Sequence, residues 1–159
     1  MDVKAALKSQ YLAGLAMLRQ AIERCPDDLW LSGEHPRNYW RIAYHTIFYT
    51  DLYLRTGEEA FVPWTKHRED VPCLWENPPV EEPYTKEETI QYLNEVVANL
   101  DDFLAALDLS AKETGFHWYP IPKLDHQMMN LRHIQGHVGQ LSELLMARGI
   151  DIDWKGAVL

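Results

Sequence analysis

A chain of 159 residues, 47% apolar and 25% charged, has the size of one globular domain that buries a core without disulfide or metal staples. Its formal net charge of -9, with no Lys/Arg cluster, repels phosphate backbones and excludes nucleic acid as an expected partner. No apolar run approaches the roughly 20 residues of a membrane span, and the opening Met1-Asp2-Val3-Lys4-Ala5-Ala6-Leu7-Lys8 reads as an amphipathic helix rather than a signal peptide, so one cytoplasmic domain over 1–159 with no membrane partner is expected.

The spacing predicts helix one over about 3–25. Leu7, Tyr11, Leu15, Leu18, Ile22 and Cys25 recur at steps of three and four, and Pro26-Asp27-Asp28 stops the run. Helix two is predicted over 36–56, with Pro36 in its first turn and Gly57 after its end. Its stripe of Asn38, Ile42, His45, Tyr49 and Leu52 puts a histidine on a core-facing step. Residues 57–84 show no period and hold Pro63, Pro72, Pro78, Pro79 and Pro83 with Trp64 and Trp75. A structureless connection of this length is uncommon in a compact domain. It is either a crossover strap or a lid on a site, and its tryptophans argue that it packs down.

Helix three is predicted over 86–108. Thr85-Lys86-Glu87-Glu88 is a capping box, and Ile90, Leu93, Val97, Leu100, Leu104 and Leu107 give the cleanest stripe in the chain. The aromatic connection Gly115-Phe116-His117-Trp118-Tyr119-Pro120 leads to helix four over 125–148, with Asp125 as N-cap and Gly149 as C′ stop. Its apolar residues are Leu131, Ile134, Val138, Leu141, Leu144 and Leu145, and the tail with Trp154 is expected to dock as coil. With no strand alternation, the chain reads as all-α: a four-helix bundle with a long loop between helices two and three. Cys25 reads as packing and Cys73 as a loop thiol, both free in a cytosolic chain.

His133 and His137 stand four apart on helix four. At about 100° per residue, with His133 at zero, His137 lies near +40°, Gln140 near about -20° and Asn130 near about +60°, at the edge of the apolar arc. The pair therefore points inward, and His45 points inward from another helix. Neutral imidazole is the commonest ligand for zinc, nickel and related ions, and three protein ligands with one position open is the pattern of catalytic sites. No Asp or Glu shares that face, so the open position favours an anion: hydroxide, a thiolate or a substrate oxyanion. The competing reading is a set of hydrogen-bonded core histidines. Arg132-His133-Ile134-Gln135-Gly136-His137 lacks the glutamate of the zinc-protease motif. Tyr49, Asn130 and Gln140 are candidates to line the pocket or to bond ring nitrogens. Arg41, one turn before His45, either meets an anionic substrate or is a surface charge. His35, His67, His117 and His126 are expected to be exposed or locally bonded, His67 and His126 being the two within range of the site.

Trp40-Arg41-Ile42-Ala43-Tyr44-His45 and Asn130-Leu131-Arg132-His133-Ile134-Gln135-Gly136-His137-Val138-Gly139-Gln140-Leu141 together resemble the DinB-like family, as do the helix order and the place of the long loop. The resemblance implies a metal triad of His45, His133 and His137, usually binding zinc or nickel, and frequently a homodimer. It implies either a transferase or isomerase that uses a low-molecular-weight thiol, or a metal-dependent hydrolase, acting on a small-molecule substrate. A bundle that binds metal or a small ligand without turnover is the alternative.

Overall fold

The computed structural model describes residues 2–158. Among them the chain forms six helices and no strand: α1 (Val3–Glu23), α2 (Asp27–Trp30), α3 (Tyr39–Tyr53), α4 (Lys86–Ala98), α5 (Leu100–Ala106) and α6 (Lys123–Met146), with a 3-10 turn at Glu58–Ala60. α1 packs on α4 and α6, and α3 packs on the same two, so these four helices close a ring. Leu15, Leu18, Ile22, Leu93, Ile134, Val138 and Leu141 fill its interior. Each such side chain contributes about 1.5–3 kcal/mol by leaving water.

The stripe of α1 is buried at the steps its spacing predicts, and so are Ile134, Val138, Leu141 and Leu145 of α6, whereas Leu131 is half-buried and Leu144 is exposed. The Thr85 capping box is complete, with Thr85 accepting from the Glu88 N–H and Glu88 accepting from the Thr85 N–H. Helix one stops before Pro26, as expected, and the short α2, which the spacing does not predict, follows. Three expectations need correction. α3 starts at Tyr39, leaving Pro36 outside the helix. The third predicted helix is broken at Asn99 into α4 and α5. There the Asn99 side-chain amide donates to the Glu95 carbonyl at 2.7 Å, in competition with the helical backbone. α6 starts at Lys123, so Asp125 lies in its first turn and is not the N-cap.

α3 is buried on nearly every side, with Tyr49 the one residue left half-exposed. The reason is the 57–84 connection, which folds over the face of α3 turned away from α6. Trp64 is buried and stacks on Tyr92, ring centroids 5.0 Å apart. Trp75 stays 50% exposed, against the expectation that both tryptophans pack down. Arg41 fastens this strap. It is fully buried, and its guanidinium donates to the carbonyls of Val71 at 2.9 Å, Asp70 at 2.6 Å and Pro79 at 3.3 Å. It is therefore neither a surface charge nor a contact for substrate.

Three polar side chains of α6 set its register on α3. Asn130 donates to the Thr50 carbonyl at 3.2 Å, Gln127 to the Tyr53 carbonyl at 2.8 Å, and the Lys123 ammonium to the carbonyls of Arg55 and Thr56 at 3.2 and 3.0 Å. The carbonyls of Tyr53, Arg55 and Thr56 lie at and beyond the end of α3, where intrahelical donors run out, whereas the Thr50 carbonyl also accepts from the Leu54 N–H. The partners step in opposite directions along the two chains, so α3 and α6 run antiparallel in a fixed alignment. The tail docks on α1 through Arg24 and Gln20, while Trp154 remains exposed.

Candidate metal centre

Continuing that alignment beyond Thr50 and Asn130, the next turns of α3 and α6 bring His45 against His133 and His137. The His45 ring centroid lies 5.0 Å from that of His133 and 4.7 Å from that of His137, and the latter two are 4.6 Å apart. One ring nitrogen from each lies within 4.8 Å of the others. His45 Nε2 and His133 Nε2 are 3.0 Å apart.

Two of the rings are oriented by fixed partners. A carbonyl only accepts, so His45 Nδ1–H donates to the Pro72 carbonyl at 2.6 Å, leaving a lone pair on Nε2. His137 Nδ1 bonds the Gln140 side-chain oxygen at 2.6 Å, which leaves its Nε2 free in the same way. His133 Nδ1 is buried without a partner. Burial lowers the pKa of His45 to about 3 and of His133 to about 4, and lowers that of His137. All three are therefore neutral at pH 7, the form that binds a cation.

This donor set fits a divalent ion. Three neutral imidazole nitrogens lie within 4.8 Å of one another, a donor set of the kind that divalent ions take. The strap supplies the carbonyl that orients His45. The Gln140 amide supplies the corresponding support for His137.

The three histidines line an open cavity of about 650 Å³. Ile42, Tyr49 and Tyr53 of α3 form one wall, and Met129, Arg132 and Gln140 of α6 another. Arg37, Leu74, Trp75 and Tyr119 enter from the connections. No carboxylate lines it among the described residues. Of the residues singled out in the sequence, Tyr49 and Gln140 border this cavity, whereas Asn130 is buried behind it as a register pin. Tyr49 sits 4.7 Å from His45, ring to ring, and burial raises its phenol to about 12, so it stays protonated.

The remaining histidines stay away from the triad. His67 stacks on Phe48 and accepts or donates at the Tyr44 hydroxyl, 2.9 Å away. His35 bonds the Pro78 carbonyl at 2.7 Å, and His117 is exposed beside Glu58. His126 is fully buried among Tyr53, Phe116 and Tyr119 with no hydrogen bond, against the expectation of exposure or a local bond. Cys25 is buried, its thiol pushed up to about 11 by burial, and Cys73 is a half-buried free thiol in the strap.

Sequence reasoning missed Arg37, Arg132, Tyr53 and Tyr119 as cavity residues. Arg132 had a legible signal: it lies about 100° from His133 and about 80° from Gln140 on the helix circumference. The other three had none, since Arg37 and Tyr119 lie in aperiodic segments and Tyr53 reads as ordinary core.

No curated protein and no solved structure matches the chain. The sequence model of the DinB superfamily matches residues 10–141. That match spans most of the 159 residues and both helices of the histidine cluster, and the chain belongs to the DinB superfamily.

Proposed function

We propose that the chain is a metal-dependent enzyme that holds one divalent ion, zinc or nickel, on His45, His133 and His137. We read its reaction as thiol-dependent transfer or isomerisation, or hydrolysis, of a small molecule. The supporting observation is the convergence of three neutral imidazoles, two of them held by second partners, at the wall of an open cavity without carboxylates. A structural histidine cluster has no need of such a cavity. α1, α3, α4 and α6 are read in the same way as a four-helix bundle forming one domain, assembled as a homodimer.

A bound divalent ion supplies Lewis acidity, which lowers the pKa of a thiol or water in its open position to near neutrality. The chain's own residues do the rest. Pro72 and Gln140 hold two rings in the tautomer whose Nε2 faces the centre. Tyr49 and Trp75 border the cavity on the side of the strap. Tyr49, protonated at neutral pH, can donate a hydrogen bond to an oxyanion. With no carboxylate in the lining among the described residues and its histidines assigned to the ion, the cavity offers no side-chain general base, and a bound ion would supply that activation.

The test is a paired panel on purified protein, stripped of metal and reloaded with zinc or nickel. Conjugation of low-molecular-weight thiols to electrophiles is one arm, and ester and amide hydrolysis is the other. Activity in either arm that vanishes on stripping and returns on reloading supports the proposal. A metal-loaded protein inactive in both arms would favour binding without turnover.

A further inference from the structure

We propose that the substrate of this cavity is a small organic carboxylate with a flat apolar body, its carboxylate gripped by Arg37 and Arg132. The proposal rests on the reading above in one respect, that this cavity is the reaction site. Its grip on the anion is carried by the arginines.

The chain has eight arginines. Arg19, Arg24, Arg55, Arg68 and Arg148 are in ion pairs, and Arg41 gives its donors to strap carbonyls. The two that remain are Arg37 and Arg132, and both line this one cavity. Neither has a carboxylate within ion-pairing distance among the described residues, although the chain carries 24 acidic residues against 15 basic ones. On such a surface, two exposed guanidiniums facing a common space with no acid in its lining mark a place prepared for an external anion.

The two come from different elements. Arg37 lies in the turn before α3, where its Nε donates to the Leu74 carbonyl of the strap at 3.4 Å. Arg132 lies on α6, next to His133. A planar fork of N–H donors matches a carboxylate in two-point geometry, which an ammonium does not.

The rest of the lining selects the body. Tyr49 and Trp75 stand 5.9 Å apart between ring centroids, Tyr49 and Tyr53 5.5 Å, and Tyr53 and Tyr119 5.6 Å. These rings, tilted or edge-on to one another, give the cavity an aromatic side against which a flat apolar group packs. A volume of about 650 Å³ is in the range of small-ligand pockets and leaves room beside the triad. A cationic substrate finds no counter-charge here, and a sugar finds few polar partners.

The experiment is calorimetric titration with phenylacetate, with its neutral isostere phenylacetamide, and with phenyl phosphate, on metal-loaded and chelator-treated protein. Phenylacetate is expected to bind at least about tenfold more tightly than the amide, and Arg37→Gln and Arg132→Gln are each expected to weaken it at least about fivefold with little effect on the amide. Both arginines are exposed, so the variants are expected to fold as the parent does. Equal affinity for acid and amide overturns the proposal, as does an acid preference unchanged in the double variant. Tighter binding of phenyl phosphate than of phenylacetate overturns the choice of carboxylate. An arginine-dependent acid preference in protein that takes up no metal sinks the metal reading alone. A preference that disappears on chelation but survives the double variant sinks the arginine grip alone.

Discussion

Gln140 touches no more of the site than one ring nitrogen, yet that contact decides which tautomer His137 presents. Replacing it with alanine leaves the ring free to turn and to protonate at either nitrogen. Gln140→Ala is expected to lower metal affinity about 10–100-fold, measured by competition with a chromogenic chelator, with the fold unchanged. His126 gives a different test. Burial holds its pKa at about 4, below the ordinary 6.5, with the Lys123 charge pushing the same way and the rings of Tyr53, Phe116 and Tyr119 facing it. Between those values the unfolded chain binds more protons than the folded one, so stability rises with pH through this window and is lost as pH falls. His126→Phe is expected to flatten that slope, read as the urea midpoint from pH 4 to 7. Identical slopes would show that His126 does not titrate this way. The triad was legible residue by residue because its members sit on periodic helices. His126 was misplaced because its burial comes from the aromatic connection, whose path no period reveals.

The α3–α6 pairing is where helix structure becomes site geometry. Gln127 is its central pin: it donates to the Tyr53 carbonyl and accepts from the Tyr11 hydroxyl at 2.8 Å, so one side chain ties together α1, α3 and α6. Gln127→Leu strands the buried Tyr53 carbonyl and leaves the Tyr11 hydroxyl only its longer bond, 3.3 Å, to the backbone carbonyl at 127. It is expected to cost about 1–3 kcal/mol of unfolding free energy and also to weaken metal binding, since the same register brings His45 to His133. A stability loss with metal affinity untouched would separate the register from the site. The stripes of α1, α4 and α6 were plain in the sequence because each has one wet face. α3 was half legible: its stripe was visible, but the strap buries its other faces too, and Arg41 on such a face was read as either a contact for an anionic substrate or a surface charge. The break at Asn99 was hidden because the apolar steps run through it without interruption, and the competing side-chain bond leaves no mark on periodicity.

At the scale of the whole molecule, stability lies in the ring of apolar stripes and the candidate metal centre on the α3–α6 seam. The two are separable. Leu141, fully buried on α6, anchors the core, and Leu141→Ala is expected to cost about 2–5 kcal/mol whether or not metal is present. Metal removal is expected to leave the fold intact and to lower the melting temperature only by the linkage contribution of the lost ion. All-helical character was readable from composition and period. The cavity was not, because four of its lining residues, Arg37, Leu74, Trp75 and Tyr119, come from segments without regular spacing.

The most direct measurement is calorimetric titration of zinc into chelator-stripped protein, with His45→Ala, His133→Ala and His137→Ala alongside and helicity followed by circular dichroism. One zinc per chain in the parent, and loss of that binding in all three variants at unchanged helicity, is the expected result. Full zinc binding retained in His45→Ala would mean that the α3 imidazole is no ligand, and would contradict the proposed centre.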